Sequence, residues 1–173
     1  MIKIRHQDTL RRLNFKHPAT WLATWFGCGL MQPGPGTWGT LGALPFGIIL
    51  LISGGIPALL IASAICYMLG LWSAKHFERM VREKDSGMIV IDEAVGLWIA
   101  LIPCVLTPLS VGLAFVLFRV FDILKPFPIG WLDKRVSGAT GVMIDDVLAG
   151  IYAALVMIGL RYAGLGLRGF RKA

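Results

Sequence analysis

Charged side chains are scarce in this chain: Asp, Glu, Lys and Arg make up 16% of its 173 residues, against the roughly 25% of a soluble globular domain. With 56% hydrophobic residues and a mean hydropathy of +0.71, that scarcity excludes an ordinary soluble domain and indicates an integral membrane protein. Cysteine is also rare. Cys28, Cys66 and Cys104 stand singly in apolar segments, an odd set without framework spacing, so they read as small buried hydrophobes rather than a disulfide scaffold. None of them has an Arg six positions on, and there is neither an Asp-x-Asp nor an Asp-x2-Asp pair, which removes three familiar arrangements for phosphoryl chemistry. His6, His17 and His76 all lie away from the acid-bearing segments, which argues against zinc.

What charge there is follows a pattern. All 17 Lys and Arg fall within 3–16, 75–84, 119–135 and 161–172. No basic stretch is interleaved with aromatics on a soluble module, so the net charge of +7 reads as collars against anionic lipid headgroups rather than a nucleic-acid surface. Residues 41–74 carry no charge; as one helix they would measure about 51 Å, well beyond the roughly 30 Å hydrocarbon core. That run must fold back at "SGGIP" (53–57), and the run 88–118 at "PCVLTP" (103–108), because Gly and Pro pairs punctuate helices. The expected fold is an all-α, polytopic membrane helical bundle in one domain spanning 1–173, with a basic cytoplasmic segment at 1–18 and a basic tail at 161–173. The positive-inside rule puts both hairpin tips outside and 75–87 and 119–140 in the cytoplasm. The last run, 142–160, has basic clusters on both sides, which leaves two alternatives: a tail tolerated outside, or a number of crossings other than five. No signal peptide is expected, since the first apolar segment begins near Ala19 and leads into a Gly/Pro-rich loop.

Only ten acids exist in the chain, and Asp92, Glu93, Asp122, Asp133, Asp145 and Asp146 fall in or beside the apolar segments and the 119–140 connection. A charge well inside a bilayer costs on the order of 2.5–3.5 kcal/mol even on lenient insertion scales, so such acids are functional suspects. The topology places all three acid-bearing helices with their carboxylates at one depth. Converging carboxylates need a counter-charge, and oxygen-only ligands suit Mg²⁺; the alternative is that "IDEAVG" and "MIDDVLAG" merely start helices. Arg119, Asp122 and Lys125 are spaced i, i+3, i+6 and line one helical face until Pro126 ends it, a wall that could bind an anion with Asp122 turned to the metal, or contact headgroups. "FGCGLMQPGPGTWGT" (26–40) is expected to be a broken or re-entrant segment, because non-helical backbone at membrane depth survives only where it is buried or lines a cavity. Thr37 reads as the N-cap of the following helix, with Gly36 and Gly39 beside it offering N–H groups to an anion; close helix packing is the other reading of those glycines.

These stretches together, "FGCGLMQPGPGTWGT", "IVIDEAVGLWIA", "FRVFDILKPFPIGWLD" and "GVMIDDVLAG" in that order, resemble the bacterial phosphatidylglycerophosphatase A family over about Trp21 to Ile158. Met31–Gln32 depart from a frequent Ser-Pro, and Ala139–Thr140 from a Gly-rich pair. The resemblance implies a multi-pass enzyme of the bacterial cytoplasmic membrane that removes the terminal phosphate of phosphatidylglycerol phosphate with Mg²⁺-activated water, its active site facing the cytoplasm. Asp92, Glu93, Asp122, Asp145 and Asp146 are then the catalytic set, with Asp92, Asp122, Asp145 and Asp146 as metal ligands, Asp133 as an additional member, and Thr37, Gly36, Gly39, Arg119 and Lys125 on the substrate phosphate. An ion or solute transporter would also use intramembrane acids and a broken helix, but has no evident need of a cation wall at the cytoplasmic face.

Overall fold

The computed structural model describes residues 9–163, so the ends of both basic terminal segments lie outside the described residues. Every described element is helical: α1 (Pro18–Ala23), a 3-10 turn (Cys28–Leu30), α2 (Pro35–Val81), α3 (Ile91–Leu101), α4 (Pro108–Leu124), α5 (Ile129–Asp133) and α6 (Ala139–Tyr162). Two of these, α2 and α6, are long and apolar enough to cross a membrane.

α2 is a hairpin. Its helical dihedrals break at Gly55 (φ 63°, ψ −157°), a conformation only glycine adopts without strain. Gly39 on one arm lies against Val90, while Gly70 on the other lies against Ile91. In one straight helix these glycines would stand roughly 46 Å apart, so the arms 35–54 and 56–81 must run back alongside each other. The expected turn at 53–57 is therefore present.

The second expected hairpin is also there, but its arms are unequal. α3 and α4 are joined through 102–107, with Thr107 capping α4 by accepting the Ser110 N–H at 3.2 Å and Pro108 in the first turn, where its missing N–H is harmless. α3 has 11 residues, about 16 Å of helix, too short to cross a hydrocarbon core alone. Instead it is the core of the molecule: Ile91 to Trp98 are all buried. A helix enclosed on every side needs small residues where backbones meet, and Gly96 supplies one. A Cβ at Gly96 would stand 2.6 Å from the Asp146 carbonyl, and a Cβ at Gly150 would run into the Gly96 backbone, so α3 and α6 approach at near-backbone distance. On the opposite side the Trp98 indole donates to the Ala43 carbonyl of α2 at 3.0 Å.

Direction follows from these contacts. Asp92 and Asp146 meet at one end of the α3–α6 pair, whereas Pro103 lies with Ile158, Arg161 and Tyr162 at the other. α6 thus runs the length of the bundle, and Arg161 emerges beside the 102–107 connection, remote from the acids. Arg12 sits at the acidic end, where its Nη1 donates to the Val81 carbonyl at 3.0 Å.

The Gly/Pro-rich stretch differs from expectation in where it stops. Irregular backbone occupies 24–34, with positive φ at Trp25, Phe26, Gly27 and Gly34, and is pinned to the core by the Val90 N–H donating to the Ala23 carbonyl at 2.8 Å. Helix α2 begins at Pro35, with left-handed Gly34 at the N-cap and no side-chain cap. Thr37 is therefore not the N-cap: the preset φ of Pro35 starts the helix earlier, and Thr37 lies one residue past the first two helical positions with an exposed side chain.

Candidate active site

Three chain segments deliver carboxylates to one cavity. Asp92 and Glu93 occupy the first turn of α3, Asp122 the last turn of α4, and Asp145 and Asp146 the second turn of α6, since that helix begins at Ala139 rather than at Val142. The α3–α4 hairpin sets Glu93 level with Arg119, and the α3–α6 glycine contact sets Asp146 beside Asp92. These acids, with Lys125 and Asp133, line a cavity of 230 Å³ whose rim is formed by Asp85, Ser86 and Gly87 from the α2–α3 connection and by Val136.

Within it, Asp92, Glu93 and Asp146 each offer an oxygen lying within 4.8 Å of the other two. All three are buried, at 5%, 9% and 4% exposure. Asp92 Oδ1, Glu93 Oε2, Asp145 Oδ1 and Asp146 Oδ2 have no hydrogen-bond partner among the described residues. An unsatisfied buried polar group costs about 1–3 kcal/mol, and more when charged. Left uncompensated, this set would consume most of the 5–15 kcal/mol by which a domain is stable. The cavity therefore calls for a positive species. Three carboxylates with no imidazole or thiol among them make an oxygen-only donor set, the kind a hard cation takes. The donor set fits Mg²⁺.

The expected ligands Asp122 and Asp145 line the same cavity but face side-chain cations instead. Arg119 Nη1 donates to Asp122 Oδ2 at 2.5 Å and lies 3.7 Å from Glu93 Oε1. Glu93 thus joins the tight cluster that sequence spacing had given to Asp122. The i, i+3 spacing that put Arg119 and Asp122 on one face also lets them pair with each other.

Lys125 leaves that face. It caps α4 in the left-handed region (φ 43°), and its ammonium donates to Asp133 Oδ1 at 2.7 Å and Asp145 Oδ2 at 2.8 Å. Burial opposes its charge, but the hydrogen bonds to Asp133 and Asp145 prevail and hold Lys125 above its ordinary range. Asp133, bonded to Lys125, is held below the usual carboxylate range. The turn that brings them together is tight: the Gly130 N–H donates to the Lys125 carbonyl at 3.2 Å, and a Cβ on Gly130 would sit 2.7 Å from that oxygen.

The two glycines expected at the phosphate have different neighbours. A Cβ on Gly36 would collide with Glu93 and come within 3.0 Å of Arg119 Nη1, so Gly36 borders the site and keeps it open. Gly39 packs on Val90, as a helix-contact residue. Two polar groups escaped the sequence reading. Thr40 Oγ1 donates to the Gly36 carbonyl at 2.7 Å and lies 3.5 Å from Arg119 Nη1; its signal was its place one turn after Gly36. Asp85 Oδ1 accepts the Gly138 N–H at 2.8 Å while its own N–H donates to Glu78 Oε1 at 3.0 Å, joining the two loops at the rim; the polar turn "KDSG" was the available signal.

Fold and cavity together define a class: an all-helical protein with two helices fit to cross a membrane, holding a buried acidic centre faced by an Arg and a Lys. The chain belongs to the phosphatidylglycerophosphatase A family, whose model matches residues 21–161. It is 42% identical over 158 residues to phosphatidylglycerophosphatase A of Haemophilus influenzae, covering 90% of this chain and 96% of the relative. It is 36% identical over 156 residues to the Escherichia coli K12 protein of the same name, covering 88% and 90%. A Bacteroides thetaiotaomicron relative named provisionally as a phosphatidylinositol-3-phosphatase is 36% identical over 151 residues, covering 82% and 92%. No solved structure matches the chain.

Proposed function

We propose that this protein is a Mg²⁺-dependent phosphatidylglycerophosphatase, hydrolysing the terminal phosphomonoester of phosphatidylglycerol phosphate to phosphatidylglycerol and inorganic phosphate. The observation that carries this reading is the convergence of unpaired Asp92, Glu93 and Asp146 oxygens beside the Arg119 guanidinium. Asp92, Glu93 and Asp146 hold the ion, which when bound supplies positive charge to the phosphoryl oxygens and acidity to water. Arg119, anchored on Asp122, is oriented to meet equatorial phosphoryl oxygens as charge builds there. Lys125 fixes Asp145 and Asp133 at the mouth. In hydrolysis the water oxygen bonds to phosphorus, the bond from phosphorus to the glycerol oxygen breaks, and that oxygen leaves protonated. The test is purified protein in lipid nanodiscs with phosphatidylglycerol phosphate. Phosphate and phosphatidylglycerol should appear in equal amounts with Mg²⁺ and neither with chelator; a folded, Mg²⁺-replete protein that releases no phosphate defeats the reading.

The same proposal includes a multi-pass bundle in the bacterial cytoplasmic membrane with the acidic cavity toward the cytoplasm. It rests on the basic residues 75–84 and 119–135 lying at the acidic end, and it accepts Arg161 at the far side with the end of α6. In a protein whose three native cysteines are replaced by Ala, cysteines at the exposed Ser53 and Leu106 should react with an impermeant reagent in intact cells. Cysteines at the exposed Lys84 and Ser137 should react only after permeabilisation. The reverse pattern would invert the topology.

A further inference from the structure

Beside the acidic cavity lies a second, more open groove of 490 Å³, bounded by Leu124, Phe127 and Trp131 on its apolar side and by Lys125, Asp133 and Lys134 on its polar side. Lys125 and Asp133 line both spaces, so the groove continues directly from the cavity mouth. Its apolar side is unusually bare: Leu124 and Phe127 are 72% and 80% exposed. The cations here are not equivalent. Lys125 is committed to Asp133 and Asp145, and Arg135 stacks on the Trp131 ring at 4.3 Å, whereas Lys134 is exposed and acts on Asp133 through space, Asp133 being hydrogen-bonded to Lys125.

We infer that this groove binds the phosphodiester and glycerol backbone of the lipid substrate, with Lys134 as the contact to the phosphodiester. The inference rests on the function proposed above and adds the site for the part of the substrate that does not react. A lipid ending in a phosphomonoester carries a second anion, the phosphodiester, one glycerol unit away, followed at once by apolar chains. A cavity for the first anion, an adjoining exposed cation, and then Leu124, Phe127 and Trp131 present matching chemistry in the same order. The Lys125 turn separates the two anion positions, and its tight Gly130 contact keeps that separation fixed. An aromatic with a polar handle, backed by a stacked Arg, suits the interface between headgroup and acyl chain.

The test uses dihexanoyl phosphatidylglycerol below its micelle concentration, which keeps the phosphodiester and glycerol backbone but has no reacting phosphate. Its affinity for the full protein is measured by calorimetry, with inorganic phosphate in the presence of Mg²⁺ as the second probe. Lys134→Gln should weaken the short-chain lipid roughly five- to tenfold, the loss of one charge-assisted contact, and leave phosphate affinity unchanged. Trp131→Ala should weaken the same lipid and likewise spare phosphate. Unchanged lipid affinity in both variants overturns the inference. So does an equal loss for both probes, which would mean that Lys134 acts only through the field of the cavity. A defect seen with vesicles and absent with the monomeric lipid also overturns it, making the groove a general membrane anchor. Binding needs no turnover, so failure of the activity assay above would fall on the proposed function and be told apart from failure here.

Discussion

Asp92→Asn, Glu93→Gln and Asp146→Asn should each cut turnover by more than about 100-fold, because loss of partners one shell removed from a metal already costs 10–100-fold. The same substitutions should leave the metal-free protein as stable as the wild type, or stabilise it. Each removes one of several carboxylates crowded into a buried space where four oxygens lack partners, and relieving that crowding offsets the loss of any local contact. The sign of the stability change is therefore the informative part. In wild-type protein, Mg²⁺ should raise the melting temperature by mass action on the folded state; in the three variants that shift should shrink or vanish, and residual activity should need more Mg²⁺ to saturate. Asp122→Asn and Asp145→Asn should lose less of the Mg²⁺-induced shift, since Asp122 is paired with Arg119 and one of the two Asp145 oxygens is held by Lys125. If the first three variants keep both wild-type turnover and the wild-type Mg²⁺ shift, the cluster is no metal centre. If they lose activity but keep the shift, the ion binds elsewhere.

The acids were legible in the sequence because carboxylates inside apolar runs are expensive and stand out there. That they meet followed from the two fold-backs, at Gly55 and at 102–107, each marked by Gly or Pro. What was not legible was the pairing within the cavity. Spacing on α4 shows that Arg119 and Asp122 share a face, but whether Asp122 turns to a metal or to Arg119 depends on how close Glu93 comes, which is set by the α3–α4 packing. Lys125 left the expected wall because a left-handed residue before Pro126 redirects its side chain, and helical periodicity ends one residue too early to report that. Thr at 37 suggests a cap because Thr is a good one; Pro35, equally visible, starts the helix three residues sooner and leaves Gly34 to turn the chain. The shortness of α3 was hidden for a related reason. Hydropathy reads 88–118 as one apolar stretch, yet 88–90 is a non-helical approach whose Val90 N–H bonds to Ala23, and the 11 residues of α3 that follow are mostly apolar because protein surrounds them.

Arg119→Lys should lower turnover by about 10²–10³-fold, the range for removing one preorganised donor to a charged transition state, while the Mg²⁺ concentration at half-maximal rate changes little. A lysine keeps the charge but not the fork. It can satisfy Asp122 or reach toward substrate, whereas the guanidinium engages Asp122 through Nη1 and leaves Nε unpartnered in the buried site. Arg119→Gln carries a second consequence, since it strands Asp122 beside Glu93 without a counter-charge; the pair is only partly buried, so the loss of stability should fall below the roughly 3–5 kcal/mol of a fully buried pair. Adding Asp122→Asn removes the stranded charge, so the double variant should recover most of the lost stability and none of the lost activity. Melting temperature and initial rate across the wild type, the two single variants and the double separate these contributions. Recovery of activity together with stability in Arg119→Gln/Asp122→Asn would mean that Arg119 serves only to neutralise Asp122, and wild-type turnover in Arg119→Lys would mean that no forked contact to the phosphoryl group is made.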